Sequence, residues 1–158
     1  MRESLDVGGI GEVLRAFRGM VEELGKGKKV LFLGAEGTCL PFAELLAHAC
    51  RDLVDSFYFC PGIRVEETVE LKPRPGYGFQ TGERAWPGKV GMVVVMGGLA
   101  LPGSGVRVEE VRNLLPSLLE KGGGVIGFGF SGVLGKGGWE KLNYRGVLDV
   151  YLGRVKVR

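Results

Sequence analysis

Residues 30 to 41 read Val30-Leu31-Phe32-Leu33-Gly34-Ala35-Glu36-Gly37-Thr38-Cys39-Leu40-Pro41. Four apolar residues in a row, too few for a helix and without alternation, are the pattern of a strand covered on both faces. A glycine-containing turn follows. Pro41 suits the first turn of a helix, where its missing N–H costs nothing, and the spacing predicts a helix from there. Phe42, Leu45, Leu46, Ala49 and Leu53 would form its core face. A buried strand feeding a helix is the unit of a parallel sheet.

The pattern repeats outward. Ile10, Val13, Leu14, Phe17, Met20, Val21 and Leu24 recur at three and four residues and predict a helix over 10–24, ended by Gly25 and Gly27. Lys26, Lys28 and Lys29 mark an exposed turn before the first strand. Ser56 to Cys60 reads as a second strand and Val90 to Met96 as a central one. A helix carries Val108, Val111, Leu114, Leu115, Leu118 and Leu119, with Glu109 and Glu110 at its start favourable to the dipole and Pro116 expected to kink or split its last turn. Val125 to Phe130 is a further strand. A short turn over 131–138, an ambiguous stretch over 139–144 and strand-like alternation over 147–157 complete the chain.

Between the second and central strands no helix is evident. Residues 63 to 71 alternate, with Ile63, Val65, Val69 and Leu71 on one parity, and predict a half-solvated strand near an edge. Residues 73 to 89, with three prolines and four glycines, read as a long exposed loop. Its Arg74, Tyr77, Phe79, Arg84 and Trp86 would serve as a ligand lid, as a subunit interface or as plain packing. The order predicts a single α/β domain over 1–158: a three-layer, open, twisted, mainly parallel sheet of Rossmann-like type, with one possible antiparallel edge strand.

Composition narrows the function. The 29 glycines among 158 residues have no three-residue period, which excludes collagen. No apolar run is long enough for a membrane span. Met1 to Gly11 is charged and lacks an apolar signal core, so the expected compartment is the cytoplasm. Three sparse cysteines, 39, 50 and 60, fit reduced thiols and not a disulfide scaffold. The net charge of +3 would attract a small anion and is too weak to imply nucleic acid. Scarcity of amide side chains (Gln80, Asn113 and Asn143) hints at a hot-living source.

Sites in such folds form outside the carboxyl ends of the strands. Three loops qualify, 34–41, 97–105 and 128–134, and they nominate Gly34, Glu36, Gly37, Thr38, Gly97, Gly98 and Ser131 as contacts for a small anionic metabolite or cofactor. The competing reading is a tight turn for helix–sheet packing. Gly34-x-x-Gly37 lacks the third glycine of a dinucleotide fingerprint, Asp52 and Asp55 precede the second strand, and no Gly-Lys-Ser/Thr follows, so the cofactor stays undefined. Cys39, near the expected helix start, is the candidate nucleophile of a thiol-dependent enzyme. Cys60, closing the second strand, is expected to face the same crevice, and Cys50 the core. His48, the one histidine, stands four residues from Glu44 and from Asp52 and reads as solvated surface; it rules out a His-rich metal centre, and no metal is expected. Gly129-Phe130-Ser131-Gly132 is one residue short of a nucleophile elbow. A homodimer paired through the 63–71 edge or the aromatic loop is the alternative to ligand binding.

The stretch Gly34-x-x-Gly37-x-Cys39-x-Pro41-Phe42-Ala43-Glu44-Leu45, together with Gly127 to Trp139, resembles a small archaeal family met mainly in methanogens. That resemblance implies a compact α/β fold and an archaeal cytosol. It carries no assigned activity to any residue.

Overall fold

The computed structural model describes residues 8–158; Met1 to Val7, most of the charged N-terminal stretch, lie outside it. Helix α1 (Ile10–Leu24) leads to β1 (Lys29–Gly34), α2 (Glu36–Ala49) and β2 (Ser56–Pro61). A hairpin of β3 (Val69–Arg74) and β4 (Gly78–Arg84) comes next, then β5 (Val90–Met96), α3 (Val108–Leu118), β6 (Leu119–Phe130) and β7 (Gly146–Val150). All seven strands join one sheet in the order β4-β3-β2-β1-β5-β6-β7. β2, β1, β5, β6 and β7 are parallel, and β3 and β4 run antiparallel to their neighbours.

Alternate side chains of the apolar strands enter two cores. Val30, Phe32, Phe57, Phe59, Met92, Val94 and Ile126 meet α1 and α2 on one face. Leu31, Leu33, Tyr58, Cys60, Val93 and Val95 meet α3, Trp139 and Leu142 on the other. The architecture is therefore a mixed, mostly parallel sheet with helices on both faces, a three-layer Rossmann-like arrangement. Phe17 stacks on Phe32, and Phe32 on Phe57, at 6.1 and 6.4 Å between ring centres.

Several expectations need correction. Helix α2 begins at Glu36, five residues before Pro41, because Ala35 is extended and already accepts the N–H of Cys39 at 2.8 Å. Pro41 thus sits in the second turn, and the α2 side chains buried deepest are Cys39, Ala43, Leu46 and Ala47. Residues 65–67 form a 3-10 turn, and only Val69–Arg74 is strand. That strand is interior, since β4 covers its outer side. The stretch 73–89 is not a structureless loop: β4 occupies its middle, and the chain turns tightly at Pro75-Gly76. Residues 85–89 then form an extended strap from β4 to β5, with Pro87 buried and its carbonyl accepting from Nζ of Lys29 at 2.9 Å. No helix makes this crossover. Helix α3 runs through Pro116 to Leu118. β7 stops at Val150, and residues 151–158 have no regular structure.

Candidate functional site

The chain leaves β1 toward β2 on one side and leaves β5 toward β6 on the other. The loops at the carboxyl ends of β1 and β5 therefore diverge, and a topological switch point opens between them. A cavity of about 160 Å³ lies there. The start of α2 supplies Thr38, Cys39 and Phe42; the end of β5 and the turn after it supply Met96, Gly97, Gly98 and Leu101; the end of β6 and its following turn supply Phe128, Phe130 and Val133.

Its wall is built by close packing around one thiol. A Cβ on Gly34 would stand 2.6 Å from Cβ of Cys39 and 3.1 Å from Sδ of Met96. A Cβ on Gly98 would stand 2.5 Å from Sγ of Cys39 and 3.0 Å from Oγ1 of Thr38. The approaches to Cys39, 2.6 and 2.5 Å, are shorter than side chains tolerate, so these two glycines let β1 and the turn after β5 close on Cys39. Cys39 is 5% exposed in consequence. Gly97 has a different partner: a Cβ there would meet Cγ1 of Val133 at 2.7 Å and Cα of Gly129 at 3.0 Å. The remaining wall is aromatic. Phe42 lies 5.9 Å from Phe128 and 5.0 Å from Phe130, and those two are 5.6 Å apart, edge to face.

Polar character concentrates at the helix start. No side chain caps α2, so the N–H groups of its first turn lack partners within the helix and carry the positive end of its dipole. Glu36 sits beside them, exposed and paired with Arg64, which also holds Glu67. Thr38 brings the one hydroxyl on the cavity wall.

Of the residues nominated from sequence, Thr38, Cys39, Gly97 and Gly98 meet at this cavity. Gly34 lies behind Cys39 as packing space. Gly37 faces open space. Ser131 is exposed and left-handed (φ 55°), its N–H given to the carbonyl of Val150 at 2.9 Å, and it does not line the cavity. Cys60 belongs to the core on the other face of the sheet, so it shares no crevice with Cys39. Burial pushes the Cys60 thiol up to about 11 and that of Cys50 up to about 12. The aromatic trio was missed. Its signal was present, since Phe128 and Phe130 share a parity at the end of a strand.

The fold and this crevice define the class: an open α/β sheet with an apolar crevice at the switch point. The chain belongs to the family of uncharacterized proteins conserved in archaea (DUF2124), whose model matches residues 8–153. An uncharacterized protein of Methanothermobacter thermautotrophicus is 35% identical over 138 residues, covering 83% of this chain and 88% of that one. Another, from Methanocaldococcus jannaschii, is 36% identical over 133 residues, covering 84% and 79%. A crystal structure of a protein of unknown function from Methanothermobacter thermautotrophicus superposes with a TM-score of 0.87 at 31% identity, covering 100% of this chain and 98% of that one. Among the described residues no helix is long and apolar enough to cross a membrane.

Proposed function

We propose that the switch-point crevice binds a small metabolite that joins a short apolar or aromatic body to one anionic group. The observation that carries this reading is the coincidence of the cavity with the free start of α2 at the switch point. About 160 Å³ suits a body of roughly benzene size, by comparison with cavities that hold one. Phe42, Phe128 and Phe130 would receive that body. The N–H groups of the first turn of α2 and the hydroxyl of Thr38 would meet the acid. Binding, not thiol chemistry, is the favoured role: the one imidazole, His48, stands nine residues along α2 from Cys39, roughly 13 Å on the helix axis. The test is a panel of small aromatic and branched-chain carboxylates and phosphates, followed by methyl resonances of Thr38, Leu101 and Val133. Saturable shifts at these methyls are expected for at least one member. Shifts at none of them across the panel would end the proposal.

A homodimer is the second reading. β7 is an edge strand, and Tyr151, Leu152, Val155 and Val157, which follow it, are 70–91% exposed; open edges and exposed apolar residues are commonly covered by another chain. Light scattering of the full chain at micromolar concentration decides it; a mass of one chain rejects the reading.

A further inference from the structure

We propose that the groove between α2 and the tip of the β3–β4 hairpin is a second ligand site, one that takes a small planar anion: an aromatic ring or nucleobase bearing a phosphate or carboxylate. This site lies at the opposite end of the sheet from the switch-point crevice, because α2 runs back from the carboxyl ends of the strands and β3 runs antiparallel to β2. The groove measures about 770 Å³, within the roughly 300–1,000 Å³ of small-molecule clefts.

Its two guanidiniums converge on one opening without a carboxylate partner among the described residues. Arg51 and Arg74 both line it, and neither forms an ion pair among the described residues. Arg51 spends one N–H on the carbonyl of His48 at 2.8 Å and keeps the rest of its fork. Asp52, the acid next to it in sequence, is engaged by Arg18 at 2.6 and 2.8 Å. A guanidinium without a partner carboxylate is the group best shaped to grip a phosphate or carboxylate through two parallel N–H bonds. Glu44 is the one carboxylate on the wall. Two guanidiniums against one carboxyl leave the groove net positive.

The ring-binding part is held rigidly. The N–H of Tyr77 bonds to the carbonyl of Arg74 at 3.0 Å across Pro75 and Gly76, and Gly76 has φ 82°. Proline followed by a left-handed glycine is the composition of a type II turn. The turn therefore presents Arg74 and Tyr77 side by side from its two ends. Tyr77 is 80% exposed, so its ring offers an uncovered stacking face. Gly78, left-handed at φ 85°, brings the hairpin backbone close to α2: a Cβ there would lie 3.8 Å from Nδ1 of His48. Packing of the hairpin on α2 accounts for the buried Phe79 and for Leu45. It does not account for a bare tyrosine and two unpaired guanidiniums around one opening.

Calorimetric titration of the full chain at low salt tests this, with adenosine 5′-monophosphate, adenosine and inorganic phosphate as probes. The monophosphate is expected to bind at least tenfold tighter than either fragment. Arg74→Ala and Arg51→Ala should each weaken it at least tenfold. Tyr77→Ala should reduce it to the level of phosphate alone. These side chains are exposed, and unchanged melting of the three variants certifies the fold. Thr38→Val, in the switch-point crevice, should leave the titration unchanged. The inference is overturned by no saturable heat for the monophosphate up to about 5 mM, or by equal binding in the three groove variants. If Thr38→Val alone abolishes binding, the ligand occupies the crevice: this inference falls while the proposed function stands.

Discussion

Gly98→Ala probes the packing that shapes the crevice. The new methyl would arrive 2.5 Å from Sγ of Cys39, 3.0 Å from Oγ1 of Thr38 and 3.4 Å from Cβ of Ala35. Overpacking by one methyl costs about 1–3 kcal/mol. The clash with sulfur is the worst of the three, and with Cβ of Cys39 fixed against Gly34 it is relieved only if the sulfur leaves its rotamer for the cavity. A loss of about 2 kcal/mol is expected. Cys39→Ala alone removes a buried sulfur and leaves a small void, for roughly 1 kcal/mol. In the double variant the methyl at 98 occupies the space that the sulfur vacates. The two losses should then fall short of additivity by about 1–2 kcal/mol, as for groups in direct contact. Urea unfolding of the four chains under reducing conditions measures this, with about 2–4 °C per kcal/mol in melting temperature as a check. Additivity within about 0.5 kcal/mol would refute the geometry, since independent sites behave that way.

Alkylation with iodoacetamide at pH 7 should label Cys39 first, because it borders the cavity, then Cys60 and last Cys50, whose thiols burial pushes to about 11 and about 12; one pH unit in thiol acidity separates the latter two by about tenfold in thiolate, and equal rates for Cys39 and Cys50, read by mass spectrometry, would count against an open crevice. Pro41→Ala should stabilise the protein by about 2 kcal/mol, since it restores an N–H to the second turn of α2 at an exposed position; a lower melting temperature would contradict this. The Arg18 guanidinium bonded to Asp52 holds that carboxyl down at about 2. Asp52 is thus depressed in the folded state, so its contribution to stability is present above about pH 4 and is lost as pH falls toward 2. A carbon-detected NMR titration should place its midpoint near 2, and Arg18→Ala should return it to the ordinary carboxylate range; an unchanged midpoint in the variant would reject the pairing.

Much of the fold was legible because its signals are local. The runs at 30–33, 56–60 and 90–96 are short, apolar and rich in branched or aromatic residues, which reads as buried strand, and 10–24 has an unbroken helical period. The hairpin was not, for two physical reasons. Pro73 and Pro75 argue against a strand, yet Pro73 is tolerated near the strand end, opposite Phe79. The alternation over 63–71 continues across a 3-10 turn, where Ile63 and Val65 still point to the core without belonging to the sheet. At the site, Thr38, Cys39 and Gly98 were found by the rule that ligands gather at strand ends. The start of α2 was misplaced by trusting Pro41 as a first-turn residue. Glu36-Gly37-Thr38 holds a helical conformation despite its glycine, because the helix is fastened by Cys39 and Ala43 against the sheet. The shared parity of Phe128 and Phe130 is visible in the sequence, but their meeting with Phe42 is a contact between distant segments, which periodicity does not reveal.

The strap at 85–89 has a consequence for how the chain is assembled during synthesis. Everything from Lys29 to Arg84 pairs with a neighbour close in sequence: β1 with β2, β2 with β3, β3 with β4. Only β5, arriving through the strap, closes the other side of β1. Until that moment a nascent chain carries Val30, Leu31, Phe32 and Leu33 along an unpaired edge in the middle of the future sheet. Such an edge is a template for pairing with a neighbouring chain. The first half of the protein is thus most exposed to misassembly on the ribosome, and a fragment ending at Arg84 would self-associate through this edge of β1. The crevice lies on this same seam. Its walls come from both halves, α2 from the first and β5 and β6 from the second, so neither half forms it alone.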